Sequence, residues 1–209
     1  MQRKQRNLLI LGALSSAIGI FAILGVMQTR SYLQTAATSQ DIKSQSSGQP
    51  IIGGDFHLVD KDGKIWKDED FRGKPMLVYF GYSYCPDICP KALSHLTQAV
   101  EELGGEKTVQ PIFITLDPER DTPKNLHLYA QNFHKDFLML TGAQHQIDQA
   151  KKAYKVYAAH VSEEKDAEID HSSLIYLIDK DGDYRAHFNH QTPSEDIVKR
   201  VRLHMETGE

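Results

Sequence analysis

Residues 75–82, PMLVYFGY, run straight into GYSYCPDICP at 81–90 and then into ALSHLTQAVEEL. A nearly unbroken apolar run of β-branched and aromatic side chains reads as a strand buried on both faces. Pro90 suits the first turn of a helix, and Leu93, Leu96, Val100 and Leu103 follow at helical spacing. Strand, tight loop and helix make half of a crossover unit, which commits the chain to an α/β layered sheet. The loop between them holds both cysteines of this 209-residue chain, Cys85 and Cys89, each followed by proline.

Other segments extend the same pattern. FHLVDKDGKIW, at 56–66, alternates around an Asp-Gly turn and predicts a hairpin. VQPIFITL, at 109–116, predicts a second buried strand, and NLHLYAQNF a short helix after Pro123. Residues 147–157 predict another helix. LIYLI at 174–178, the turn DKDGD and YRAHF predict an antiparallel hairpin. Residues 194–205 predict a closing helix with Ile197, Val198, Val201 and Met205 on its buried face and Leu203 off it. The order β-β-β-α-β-α-α-β-β-α is met most simply by a thioredoxin-like layered sheet with an N-terminal hairpin.

Ahead of this lies LLILGALSSAIGIFAILGVM at 8–27, twenty residues without a charge, enough to cross a bilayer as one helix. Arg3, Lys4 and Arg6 precede it and only Arg30 follows closely, which predicts a cytoplasmic tail at 1–7 and an exported remainder. A cleaved signal peptide would have a shorter apolar core and a small-x-small cleavage site, so an uncleaved transmembrane anchor is expected. No Arg- and Ser-rich transit segment precedes the run, which points to a bacterial inner membrane with the domain in the periplasm. Residues 28–50, rich in Gln, Ser and Thr, read as a flexible tether, leaving 51–209 as one domain. Setting aside the four basic residues of the first thirty leaves 20 Lys and Arg against 28 Asp and Glu. So acidic a domain is a poor binder of nucleic acid.

The cysteine pair carries the chemistry. Thiolates act as nucleophiles, redox centres and soft-metal ligands, so clustering both cysteines narrows function to thiol redox or metal handling. A structural disulfide across so short a loop would remove little chain entropy. Ligands of open α/β sheets gather beyond the carboxyl ends of strands, where this loop lies. If the helix starts at Pro90, Cys89 is at its cap and Cys85 in the preceding turn, both within reach of the positive end of the helix dipole. Bringing the sulfurs together then requires a fold-back at Pro86 and Asp87. Two thiolates leave most metal sites incomplete, so imidazole is the next ligand to seek. His127, His134, His145 and His160 have no partner at ligand spacing, and His187 with His190 read as exposed residues. His171 differs, lying in IDHSSLIYLID at the mouth of a strand, where Asp170 or Ser172 could orient its ring.

Taken together, GYSYCPDICP at 81–90, LDPERDTP at 116–123, DHSSLIYLID at 170–179 and the FRGKP lead-in at 71–75 resemble the Sco/SenC family of membrane-anchored copper proteins. The resemblance covers the whole exported domain. It implies a thioredoxin-like fold in which Cys85, Cys89 and His171 bind one copper ion. It also implies a role in assembling the binuclear copper centre of cytochrome c oxidase, by delivering copper to subunit II, reducing its cysteines, or both, with an upstream periplasmic protein as copper donor. Tyr84 stands where the family pattern often has His, and EEKDAEI before Asp170 follows the pattern loosely. Two soft thiolates and one imidazole suit Cu(I), whereas structural zinc normally takes four protein ligands. Asp87, Asp117 and Asp121 are candidates for tuning the site or docking a partner, or else for capping the loop and the helix after Pro123.

Three functions compete. A copper metallochaperone needs Cys85, Cys89 and His171. A thiol-disulfide oxidoreductase needs only Cys85 to attack and Cys89 to resolve, with three residues between them where thioredoxins have two. A thiol peroxidase would have the Thr-x-x-Cys environment that is missing before Cys85. The metallochaperone is the reading adopted, with the thiol reductase as runner-up and copper or redox sensing also open.

Overall fold

The computed structural model describes residues 51–162, 164 and 167–207. The expected cytoplasmic tail, membrane span and tether at 1–50 lie outside the described residues. Among the described residues no helix is long and apolar enough to cross a membrane.

In chain order the elements are β1 (His57–Val59), β2 (Ile65–Lys67), β3 (Met76–Gly81), α1 (Ile88–Leu103), β4 (Gln110–Thr115), α2 (Pro123–Ala130), β5 (Leu138–Leu140), α3 (Gln144–Tyr154), β6 (Ala158–His160), β7 (Ile169–His171), β8 (Leu174–Ile178), β9 (Tyr184–Asn189) and α4 (Ser194–Thr207). Five strands form the central sheet in the order β5-β4-β3-β8-β9. β3, β4 and β5 run parallel, while β8 runs antiparallel to β3 and β9 antiparallel to β8. This is a thioredoxin-like mixed sheet. Every residue of β3 and of β4 is buried, as their continuous apolar runs require.

Successive strand residues point to opposite faces, and β3 shows what covers each. Tyr79 faces α1 and meets Cys89, while Phe80 faces the other way and packs against Tyr154 of α3 at 5.2 Å. Phe113 lies on the Tyr79 face and meets Tyr129 of α2, and α4 packs beside α1. The helices therefore sandwich the sheet. Fully burying Leu77, Val78, Tyr79 and Phe80 contributes about 1.5–3 kcal/mol for each such side chain.

The two Asp-Lys-Asp-Gly turns share one local design. Asp60 accepts from the N–H groups of Asp62 (2.9 Å) and Lys64 (3.0 Å) and from Trp66 Nε1 (2.8 Å). Asp179 does the same with Asp181, Asp183 and Arg185. Gly63 and Gly182, with φ of 77° and 90°, supply the left-handed residue each turn requires.

Four expectations are corrected. Sequence reading passed over β5, which supplies the parallel edge of the sheet, and the β6–β7 hairpin. α3 lies over Gln144–Tyr154, three residues earlier than 147–157, because Lys155 turns left-handed (φ 56°) and its N–H closes the helix onto Lys151 and Lys152. On α4 the buried face is completed by His204, not Met205, which is half exposed. α1 begins at Ile88, two residues before Pro90. Proline is accommodated within the first turn because the N–H groups there have no intrahelical acceptor.

Candidate metal and thiol site

Topology brings the chemistry to one edge. β3 and β4 are parallel, so the loops after Gly81 and Thr115 leave the sheet together, and antiparallel β8 begins at that same end. The cysteine loop, the Asp117–Asp121 loop and the segment carrying His171 consequently converge there.

The chain bends at Pro86 and Asp87, as the fold-back requires, and enters α1. Asp87 is the N-cap residue, but its carboxylate pairs with Lys91 Nζ (2.6 Å) and does not cap the helix. Cys85 Sγ takes that position instead, accepting the N–H of Cys89 in the first turn at 3.4 Å. Cys89 is fully buried and Cys85 half-buried. The Cys89 thiol beside it holds Cys85 well below the ordinary thiol pKa, and His171 and the N–H groups of Cys89 and Asp87 add to that effect. The neighbouring Cys85 and burial push Cys89 up. Opposite shifts in two thiols this close describe a coupled pair sharing one proton, in which the more accessible sulfur ionises first.

Space for the buried sulfur comes from Gly81. A Cβ there would stand 2.8 Å from Cys89 Sγ, 3.0 Å from Tyr79 Cε1 and 3.1 Å from Phe113 Cε2. The Tyr79 hydroxyl, kept protonated by burial and by the neighbouring cysteines, donates to Cys89 Sγ at 3.6 Å.

His171 Nε2 lies 3.7 Å from Cys89 Sγ. Its Nδ1 lies 3.2 Å from the Ser172 carbonyl, which can only accept. Nδ1 therefore donates to that carbonyl, and Nε2 is the ring nitrogen that faces the sulfurs. With metal bonds of about 2.3 Å to sulfur and 2.1 Å to nitrogen, as for zinc, two ligands of a trigonal ion stand roughly 3.8 Å apart. The Cys89–His171 separation matches that spacing. The residue that orients the ring differs from the expectation: Asp170 is exposed, and the Ser172 hydroxyl accepts from Tyr157 N. Among the described residues no three His, Cys, Asp or Glu side chains form a closed metal cage. Cys89 links the other two, its N–H donating to Cys85 Sγ and its own Sγ lying beside His171 Nε2. In front of Cys85 and His171 opens a cleft of about 390 Å³, bordered also by Tyr82, Asp87, Glu168 and Asp170.

Asp121 is fully buried and fastens the cysteine loop to β4. It accepts from Ser83 N (3.0 Å), Ser83 Oγ and Thr115 Oγ1 (2.6 Å), while burial pushes its carboxyl upward. Asp117 pairs with Arg120. Neither caps the helix after Pro123; Thr122 does, accepting from Asn125 N. His127, His134, His145, His160, His187 and His190 do not border the cleft, and His187 bonds Tyr184.

Sequence reading missed Tyr79, Tyr82, Ser83, Thr115 and Arg120. The period-2 spacing of Tyr79 and Gly81 carried one usable signal: both must face the helix that begins beside Cys89.

A family model described as SCO1/SenC matches residues 44–206. The SCO2-like protein of Rickettsia prowazekii is 45% identical over 71% of this chain and 74% of its own length. The structure of Bradyrhizobium japonicum ScoI with copper bound is 37% identical, covers 73% of this chain and 98% of its own, and superposes with a TM-score of 0.68. BsSco, a member of the Sco family of cytochrome c oxidase assembly proteins with a disulfide switch, is 28% identical over 74% of this chain and 95% of its own, with a TM-score of 0.59. With the match spanning most of its length, this chain belongs to the SCO1/SenC family.

Proposed function

We propose that this protein is a membrane-anchored copper metallochaperone. In this reading it takes copper from a periplasmic donor and passes it to subunit II of cytochrome c oxidase for the binuclear copper centre. Cys85, Cys89 and His171 hold the ion. The observation that carries the reading is the His171 ring, its Nδ1 proton committed to the Ser172 carbonyl and its Nε2 set 3.7 Å from Cys89 Sγ. A dithiol enzyme has no need of an imidazole held in this orientation. The donor set suits Cu(I), and the similarity of the chain to copper-bound ScoI supports the same metal. The apolar run at 8–27 supports an inner-membrane anchor with the domain in the periplasm.

A second reading is favoured by the sulfurs themselves. A half-buried thiolate at Cys85 beside a buried thiol at Cys89 is the arrangement of an attacking and a resolving cysteine. BsSco, with its disulfide switch, supports that chemistry. Transfer assays separate the two. Cu(I)-loaded chain mixed with reduced, metal-free subunit II copper domain is expected to lose its copper to that domain, read as metal content after separation and, once added ferricyanide removes one electron from each Cu(I) pair, as the spectrum of the mixed-valence binuclear centre. Failure to transfer, with the reduced metal-free chain instead reducing a disulfide in that domain, would replace delivery by thiol reduction.

A further inference from the structure

Arg120 touches all three segments that build the site. Its Nε bonds the Asp117 carboxylate in its own loop. Its NH2 group donates to the Ala167 carbonyl at 3.2 Å, two residues before β7 and four before His171. Its guanidinium carbon lies 5.1 Å from the centroid of the Tyr84 ring, next to Cys85, and 6.0 Å from that of Tyr82. The Tyr82 hydroxyl in turn accepts the Ile169 N–H at 3.3 Å, and its ring meets His171 edge-on.

Among the described residues β7 pairs with β6 alone, in a two-stranded sheet separate from the central one. Backbone pairing within that hairpin sets its internal register but not its distance from the cysteine loop. The Arg120–Ala167 bond and the Tyr82–Ile169 bond span that gap. Asp117 holds the other side of the guanidinium, and its own N–H is fixed to Thr115 Oγ1 at 2.9 Å.

We propose that Arg120 is a positioning residue that, alongside the Tyr82–Ile169 bond, clamps the β6–β7 hairpin, and with it His171, against the cysteine loop. The proposal rests on the three-ligand reading above. Arginine suits the task because its planar fork donates in two directions while its face stacks on an aromatic ring. Lysine keeps the charge but cannot make both bonds and the stack, so it does not replace the clamp.

The test is a double-mutant cycle in the full-length chain, with Cu(I) affinity measured by competition with a chromophoric chelator. Arg120→Met is expected to weaken Cu(I) binding about tenfold, the scale of one charge-assisted hydrogen bond, and Arg120→Lys to restore little of it. In a His171→Ala background Arg120→Met is expected to have no further effect, because the ligand it positions is gone. Hydrogen exchange on the metal-free protein provides a readout independent of copper. The amides of Ile169 and His171 should exchange faster in Arg120→Met while those of β3 and β4 stay protected. Equal weakening by Arg120→Met in both backgrounds, or unchanged exchange at Ile169 and His171, would overturn the clamp. If His171→Ala alone leaves Cu(I) affinity unchanged, the three-ligand reading fails, and the exchange experiment still decides whether Arg120 holds the hairpin.

Discussion

Gly81→Ala adds a single methyl group at the last residue of β3, where it would meet Cys89 Sγ at 2.8 Å, Tyr79 Cε1 at 3.0 Å and Phe113 Cε2 at 3.1 Å. Carbon contacts settle at about 3.5–4.0 Å, so all three overlap at once. None of the neighbours is a free end: Tyr79 and Phe113 sit on paired strands, and Cys89 is in the first turn of α1. Overpacking of this kind costs about 1–3 kcal/mol, and three fixed contacts place it at about 2–3. Against this, replacing glycine by alanine lowers the entropy of the unfolded chain, worth about 0.4–1 kcal/mol. The clash wins, leaving a net loss of about 1–2.5 kcal/mol and a fall in Tm of roughly 2–10 °C for a domain of this size. Because Cys89 must shift, Cu(I) affinity should fall along with stability. Urea unfolding followed by circular dichroism, with chelator competition for Cu(I), measures both. A Gly81→Ala protein with unchanged urea midpoint and unchanged copper affinity would refute the claim that Gly81 is the space in which the buried sulfur sits.

Asp121→Ala leaves the Ser83 N–H, Ser83 hydroxyl and Thr115 hydroxyl without their buried acceptor, and should cost about 3 kcal/mol in urea unfolding, with faster amide exchange at Ser83. In the reduced, metal-free protein, iodoacetamide should modify Cys85 alone, and the rate should persist well below the ordinary thiol pKa, where a free cysteine has stopped reacting. Reaction that falls off around pH 8–9, as expected of an unperturbed thiol, would refute the shared-proton pair. The linked stability has a definite sign. Lowered in the folded state, Cys85 contributes stabilisation that is complete above the unfolded thiol pKa and is lost as pH falls toward its folded value; Cys89, raised, acts oppositely and costs stability above the unfolded value.

Parts of the fold and site that rest on strong local patterns were legible in the sequence. β3 and β4 are continuous apolar runs, the two Asp-Gly turns announce their hairpins, and a cysteine loop between a buried strand and a helix names its own location. β5 was not legible because LML is only three residues long and gains strand character from pairing with β4. The β6–β7 hairpin hides in polar sequence for the same reason, its order coming from pairing and from Arg120 and Tyr82. On α4, His204 and Met205 are adjacent, and hydropathy favours the methionine, while helix geometry places the histidine inward. Asp117 and Asp121 could be singled out, but not their separate tasks: only the folded chain brings Ser83 to Asp121, 38 positions apart in sequence.

The most direct test of the account is Cu(I) stoichiometry and affinity of the full-length reduced chain beside Cys85→Ser, Cys89→Ser and His171→Ala. One tightly held copper in the parent, and binding greatly weakened in each variant, is the predicted result. A His171→Ala protein that holds copper as tightly as the parent would contradict the three-ligand site, and a parent that binds no copper while cycling a Cys85–Cys89 disulfide would make this chain a thiol reductase.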